Sequence, residues 1–167
     1  PCLVISQPDR PCGRGRRTAT PPAVVEAGRL GIPCLQTEDI NEPVVAECLR
    51  ERGAKTLVVA ALGQILKPAL LESLLCLNIH ASLLPAYRGA APVERALAAG
   101  ESSTGISIIR LTEKLDEGPW ALQTTVSVGL REDAGTLGRT LALLGAVGMT
   151  HVLDGLADGT VIWTEQE

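Results

Sequence analysis

Short apolar runs alternate along the chain with stretches of helical spacing. Pro1 to Ser6 predicts a strand, Ala23 to Leu30 a helix stopped at Gly31, and Ile32 to Gln36 a second strand. Asp39 or Asn41 is placed to cap the next helix. That helix has Pro43 in its first turn, a stripe of Val45, Cys48 and Leu49, and Gly53 at its end. Thr56 to Ala61 is apolar without alternation, the pattern of a central parallel strand buried on both faces. Leu62 to Leu66 is a loop, and Pro68 opens a helix running to Leu75. A short apolar strand begins at Leu77, and Pro92 opens a helix that ends at Gly100. Thr104 to Leu111 is a strand, and Trp120 to Val128 returns beside it as an antiparallel or edge strand. Asp133 caps a long helix with Leu137, Leu141, Leu144, Val147 or Gly148, and Val152 on one face, ended by Gly155 to Gly159. Val161 to Trp163 is a final short strand or tail. Alternation of strands and helices predicts an α/β fold, a three-layer, doubly wound and mostly parallel sheet, in one domain over residues 1–167.

Composition changes this picture little. Hydrophobic residues make up 46% and charged residues 20% of the chain, the balance of an ordinary globular domain. There is no Phe, so the core must be aliphatic. A net charge of −4 gives no global reason to bind nucleic acid. The cysteines at 2, 12, 34, 48 and 76 show neither metal-ligand spacing nor a disulfide framework, which fits a reducing cytosol. No run resembles a signal peptide, and none is expected to span a bilayer.

Chemistry concentrates after Leu77. Asn78 and His80 are two apart, so in a strand they point to the same side. A loop punctuated by Pro85 and Gly89 follows, carrying Ser82 and Arg88, and Asp116 comes later in a turn before Gly118. An amide, an imidazole and a carboxylate could then converge at the carboxyl ends of neighbouring strands, where open α/β sheets place their sites. The set suits acyl transfer, with an amide donor for the oxyanion and an imidazole and carboxylate for protons. Each residue also has a plain alternative. A lone strand histidine is often a hydrogen-bonded core group, Asp116 and Gly63 could be turn residues, and Arg88 a surface ion-pair partner. Ser82 lacks the Gly-x-Ser-x-Gly elbow of a nucleophile and reads as a turn residue. His151 reads as structural or exposed. Gln7 to Pro22 is a loop with Arg10, Arg14, Arg16 and Arg17 set among prolines and glycines, a basic island in an acidic chain. It is expected to be mobile without a polyanion.

Asn78-Ile79-His80-x-Ser82-Leu83-Leu84-Pro85-x-Tyr87-Arg88-Gly89-Ala90-Ala91-Pro92, followed by Leu115-Asp116-x-Gly118, resembles the folate-dependent formyltransferases. Arg88 to Ala96 is most similar to the branch that acts on methionyl-tRNA, and the resemblance runs over nearly the whole chain. It implies a Rossmann-like catalytic domain and transfer of a formyl group from 10-formyltetrahydrofolate to the amino group of initiator methionyl-tRNA, in translation initiation. No metal is implied, and a cytoplasmic monomer is expected. Asn78, His80 and Asp116 fall on the family's catalytic positions. Leu62, Gly63, Gln64, Ile65, Leu66, Ser82, Leu83, Leu84, Pro85 and Leu111 are implied to line the folate site. Arg10, Arg14, Arg16, Arg17 and Arg88 are implied to meet tRNA, since a guanidinium fork binds phosphate bidentately. Family members also carry a first strand and helix and a C-terminal β-barrel domain, which this chain is expected to lack. The rival expectations are a small amine acceptor (glycinamide ribonucleotide or an amino sugar) and an inactive domain that binds folate or RNA.

Overall fold

The computed structural model describes residues 1–12 and 17–167, which divide into two compact units, Pro1–Lys55 and Thr56–Glu167. In the smaller unit, β1 (Val4–Ser6) pairs in parallel with β4 (Cys34–Gln36), Ile5 opposite Leu35. α1 (Pro22–Arg29) connects them and buries Ala27. α2 (Pro43–Glu51) follows, with Val45 and Leu49 buried as its spacing predicts. Its cap differs from expectation. Glu42 holds the N-cap position without a side-chain bond, and Asp39 instead accepts from the backbone and side-chain amides of Asn41. An Asx turn two residues long has taken the carboxylate that a cap would use.

The segment expected to be a loop, Gln7 to Pro22, contains a second pairing. β2 (Arg10–Cys12) lies antiparallel to β3 (Arg17–Ala19). The expected mobility of its middle, with Arg14 and Arg16, falls outside the described residues.

The larger unit holds the site. Its sheet has the order β5 (Thr56–Ala60), β6 (Leu75–His80), β7 (Ser103–Arg110), β8 (Trp120–Ser127). β5 and β6 are parallel, while β7 and β8 run antiparallel to their neighbours. The α/β, Rossmann-like class holds, and the sheet of this unit is mixed, with one parallel and two antiparallel pairings. α3 (Pro68–Ser73) is the crossover between β5 and β6, and α4 (Pro92–Ala98) precedes β7. β5 stands at the end of the strand order, and Val59 is buried while Val58 is 41% exposed. The expectation of burial on both faces is therefore corrected: the pleat sends alternate residues to opposite sides, and only one is covered.

α5 (Ala134–Asp158) is capped by Asp133, whose carboxylate accepts from the Thr136 amide at 2.8 Å. Leu137, Leu141, Met149 and Val152 pack with Leu77, Ile106 and Ile108 into an aliphatic core. Burial of each such side chain favours folding by about 1.5–3 kcal/mol. A Cβ on Gly145 would lie 2.5 Å from Ile79 Cγ2, and one on Gly148 2.6 Å from Leu122 Cδ2, so glycine lets the helix sit close on the sheet. Between Val147 and Gly148, the structure buries Gly148 and exposes Val147. By length and composition alone α5 could cross a bilayer, against the sequence expectation. One stripe of it packs on the sheet, while Leu143 and Val147 on the same helix are exposed. On the other face of β6, Cys76 is buried with its thiol toward the Leu70 carbonyl of α3, and burial pushes that thiol up to about 11. The tail returns to the sheet through paired backbone bonds between Trp120 and Thr164.

Candidate active site

A cleft of about 600 Å³ opens in the larger unit, beyond the carboxyl ends of β5 and β6. One wall is the segment 61–66 after β5, another is 111–116 after β7, and Asn78 and His80 of β6 form part of its floor. The period of the strand brings these two side chains into the same cleft, as the sequence predicts.

His80 and Asp116 are nearly buried, 5% and 6% exposed. His80 Nε2 donates to the Tyr87 carbonyl at 3.0 Å. A carbonyl can only accept, so the proton of the neutral ring sits on Nε2 and the Nδ1 lone pair faces the cleft side. Nδ1 stands 3.6 Å from Asp116 Oδ2, beyond direct hydrogen-bond length but within charge contact. The same carboxylate oxygen accepts from the Gly89 amide at 2.9 Å. One proton added at Nδ1 turns this arrangement into an ion pair; without it the two lone pairs oppose one another. The imidazole is therefore fixed in orientation and has a single nitrogen left for chemistry.

Asp116 reaches His80 by a route that differs from expectation. It does not lie at the carboxyl end of a parallel strand, since β7 is antiparallel to β6 with His80 opposite Ser107 and Leu77 opposite Arg110. The chain leaves β7 at the far end of β6 and folds back as the loop 111–119. The loop is closed at its base by Arg110 N to Pro119 O and by Leu111 N to Cys76 O. Gly118 passes so close to the Arg110 carbonyl that a Cβ there would stand 1.8 Å from the oxygen. Backbone strain gathers here too. Ala61, Tyr87, Ala91 and Asp116 all have φ between 52° and 59°, and they are the described non-glycine residues with positive φ. Three of them line the cleft and the fourth supplies the carbonyl that orients His80.

The remaining candidates divide. Leu62, Gly63, Gln64, Ile65, Leu66 and Leu111 line the cleft. Ser82, Leu83, Leu84 and Pro85 are not among the residues that line it. Ser82 is fully buried and its hydroxyl donates to Ala86 O, and Leu84 is buried. A network centred on Ser107 holds this turn against β7 and β8. Ser107 Oγ donates to Ser82 O and accepts from the Leu84 amide, and Gln123 Nε2 donates to both Ser107 Oγ and Leu84 O. Arg88 is engaged within the protein: Nε and Nη2 donate to Gln166 Oε1, and Nη1 is 4.0 Å from Glu117. Arg10 pairs with Glu38 at 2.6 Å in the open. Arg14 and Arg16 lie outside the described residues, and Arg17 enters as the first residue of β3. His151 is exposed.

Sequence reasoning passed over the groups that hold His80 and Asp116. The Tyr87 carbonyl and the Gly89 amide lie inside the recognised motif, but main-chain roles leave no mark on side-chain identity. Beside the motif, Tyr87 Oη donates to Glu101, which raises the phenol above the ordinary tyrosine range. No group of potential metal ligands occurs among the described residues.

The fold and the cleft define an α/β site with an amide, a fixed imidazole and a buried carboxylate. Residues 2–153 match the formyl transferase family, and the chain belongs to it. It is 44% identical to a methionyl-tRNA formyltransferase of Geobacter metallireducens over 98% of this chain and 53% of that protein. Against one from Chloroflexus aggregans it is 45% identical over 95% and 52%. The chain thus spans about half the length of these curated relatives. Among solved structures, glycinamide ribonucleotide transformylase 1 from Symbiobacterium toebii superposes with a TM-score of 0.81 at 23% identity, covering 99% of this chain and 80% of that one. A phosphoribosylglycinamide formyltransferase from Anaplasma phagocytophilum gives 0.77 at 25%, over 99% and 81%.

Proposed function

We propose that the protein transfers the formyl group of 10-formyltetrahydrofolate to the amino group of initiator methionyl-tRNA. The observation that carries this reading is the convergence of Asn78, His80 and Asp116 in one cleft, with His80 Nδ1 3.6 Å from the carboxylate. The methionyl-tRNA acceptor is favoured by the names of the relatives at 44% and 45% identity.

The folate co-substrate supplies an electrophilic formyl carbon. Leu62 to Leu66 and Leu111 to Leu115 offer a largely apolar slot with Ile65 and Leu115 exposed at its rim, a fit for a flat heteroaromatic ring. Asn78 presents an amide to the oxygen that gains charge when the amine attacks. His80 has Nε2 engaged, so any bond to the reacting group runs through Nδ1. Asp116 stabilises a proton there and takes part in removing one from the amine, through water if the distance requires it. Its buried position keeps the carboxylate's field strong. No covalent nucleophile is needed, which agrees with Ser82 being sequestered.

The test is a competition among acceptors with the protein expressed from its full coding sequence. Initiator methionyl-tRNA, glycinamide ribonucleotide and an amino-sugar nucleotide are each offered with 10-formyltetrahydrofolate. Formyl-methionyl-tRNA is expected as the dominant product. Faster formylation of either small amine overturns the acceptor, and folate binding with no turnover on all three overturns the enzyme reading.

A further inference from the structure

Gln166 lies 50 residues from Asp116 in sequence, outside every motif, and uses its full hydrogen-bonding capacity beside the site. Nε2 donates to the Asp116 carbonyl at 2.8 Å and to the Gly118 carbonyl at 2.7 Å. Oε1 accepts from Arg88 Nε at 3.0 Å and Nη2 at 2.7 Å. One amide therefore ties the loop that carries Asp116 to the loop that carries Tyr87 and Gly89. Those two residues hold His80 Nε2 and Asp116 Oδ2 respectively. The backbone pairing of Trp120 with Thr164 delivers Gln166 to this place.

The geometry points to Gln166 as a positioning residue for the Asp116 carboxylate, a role that rests on the proposed function above. Asp116 has φ 52°, a conformation that an L residue keeps only when its surroundings enforce it. In that conformation its carbonyl points to Gln166, while its side chain points to His80 and the Gly89 amide. Loss of the Gln166 amide leaves the Asp116 and Gly118 carbonyls without this donor and lets the residue relax to negative φ. The carboxylate then swings away from Nδ1. An amide is needed because the link must donate on one side and accept on the other.

The test compares Gln166→Ala, Gln166→Glu, Asp116→Asn and the double variant Gln166→Ala/Asp116→Asn in the protein expressed from its full coding sequence. Gln166→Glu keeps the acceptor for Arg88 but sets a carboxylate against two carbonyls, so it separates the Asp116 link from the Arg88 link. Both Gln166 variants are expected to lower kcat for formyl transfer by roughly 10- to 100-fold, with KM for folate within about threefold, since a misplacement near 1 Å costs up to about 10²-fold. The double variant should be no slower than Asp116→Asn alone, because the amide acts only through that carboxylate. Circular dichroism checks that each variant is folded. If Asp116→Asn is slow but Gln166→Glu matches the parent, or if the two losses multiply, the positioning role is overturned and the functional reading survives. If Asp116→Asn itself turns over at the parent rate, the functional reading fails and takes the inference with it.

Discussion

In the cleft His80 and Asp116 are buried and engaged on several sides, whereas in the β2–β3 hairpin the described polar groups meet partners in the open. His80 and Asp116 are about one-twentieth exposed, while the Arg10 and Glu38 side chains are 57% and 66% exposed. The cleft also holds, in it or beside it, the four described non-glycine residues with positive φ, and the described part of the hairpin holds none. The difference teaches where geometry matters to each region. Burial strengthens electrostatics and fixes orientation, at a cost in strain that only close packing sustains. An exposed pair is screened and replaceable, so its residues can exchange partners cheaply. A cleft built this way holds one geometry, whereas an exposed hairpin pair can change partners without cost to the fold.

The largest effect should follow from removing a group that no neighbour can replace. Asn78→Ala is expected to lower kcat by roughly 10²–10³, a loss of about 3–4 kcal/mol in transition-state stabilisation, with folding intact. His80→Ala should be of similar severity. A formyl-transfer assay at saturating folate checks both, and a near-parent rate for either removes that residue from the site. Next comes the backbone. Gly118→Ala drives a Cβ to within 1.8 Å of the Arg110 carbonyl, which the loop can relieve only by shifting. Stability should fall by about 1–3 kcal/mol. The rate should fall by up to roughly 10²-fold, since Asp116 moves with the loop. Paired melting and kinetic measurements separate the two losses, and a normal rate would mean that the loop tolerates displacement.

Part of this contrast was legible in the residues. The period of two put Asn78 and His80 together, and Asp133 announced the start of α5. The motif from Asn78 to Pro92 identified the family before any coordinates did. What stayed hidden depended on pairing direction and on distant partners. An apolar run such as Thr104 to Leu111 does not state which way it pairs, so the fold-back of 111–119 could not be foreseen. Ser82 to Pro85 adjoin His80 in sequence, yet Ser107 and Gln123, 25 and 39 residues from their partners in the turn, hold it away from the cleft. Arg88 read as a surface ion-pair partner or a tRNA contact, and its partner Gln166, 78 residues on, carries no signal of its own.

A smaller effect is expected in the hairpin. Replacing Arg14, Arg16 and Arg17 with Ala should weaken initiator-tRNA binding and flatten its salt dependence by roughly 0.7–0.9 in slope per lost phosphate contact. Folate affinity should stay unchanged. A salt titration of tRNA binding by parent and triple variant checks this, and parallel slopes would reduce the hairpin to a solvated connection.

The smallest effect tests the contrast most finely, because it has the opposite sign. Glu38→Gln removes the carboxylate that holds Arg10 at 2.6 Å. Exposed pairs of this kind contribute about 0–1 kcal/mol, so Tm should move by no more than roughly 2–4 °C. The released guanidinium can then turn to a phosphate, and one negative charge near the nucleic acid is gone. Initiator-tRNA binding should therefore tighten, with a salt slope steeper by up to roughly 0.9 if Arg10 gains one contact. Arg10→Ala should weaken binding in the parent and erase the gain in the Glu38→Gln background. If Glu38→Gln instead lowers Tm well beyond this range and leaves the slope unchanged, the Arg10–Glu38 pair is a structural clasp. The hairpin would then be built by the same logic as the cleft, with its arginines spent on holding the fold.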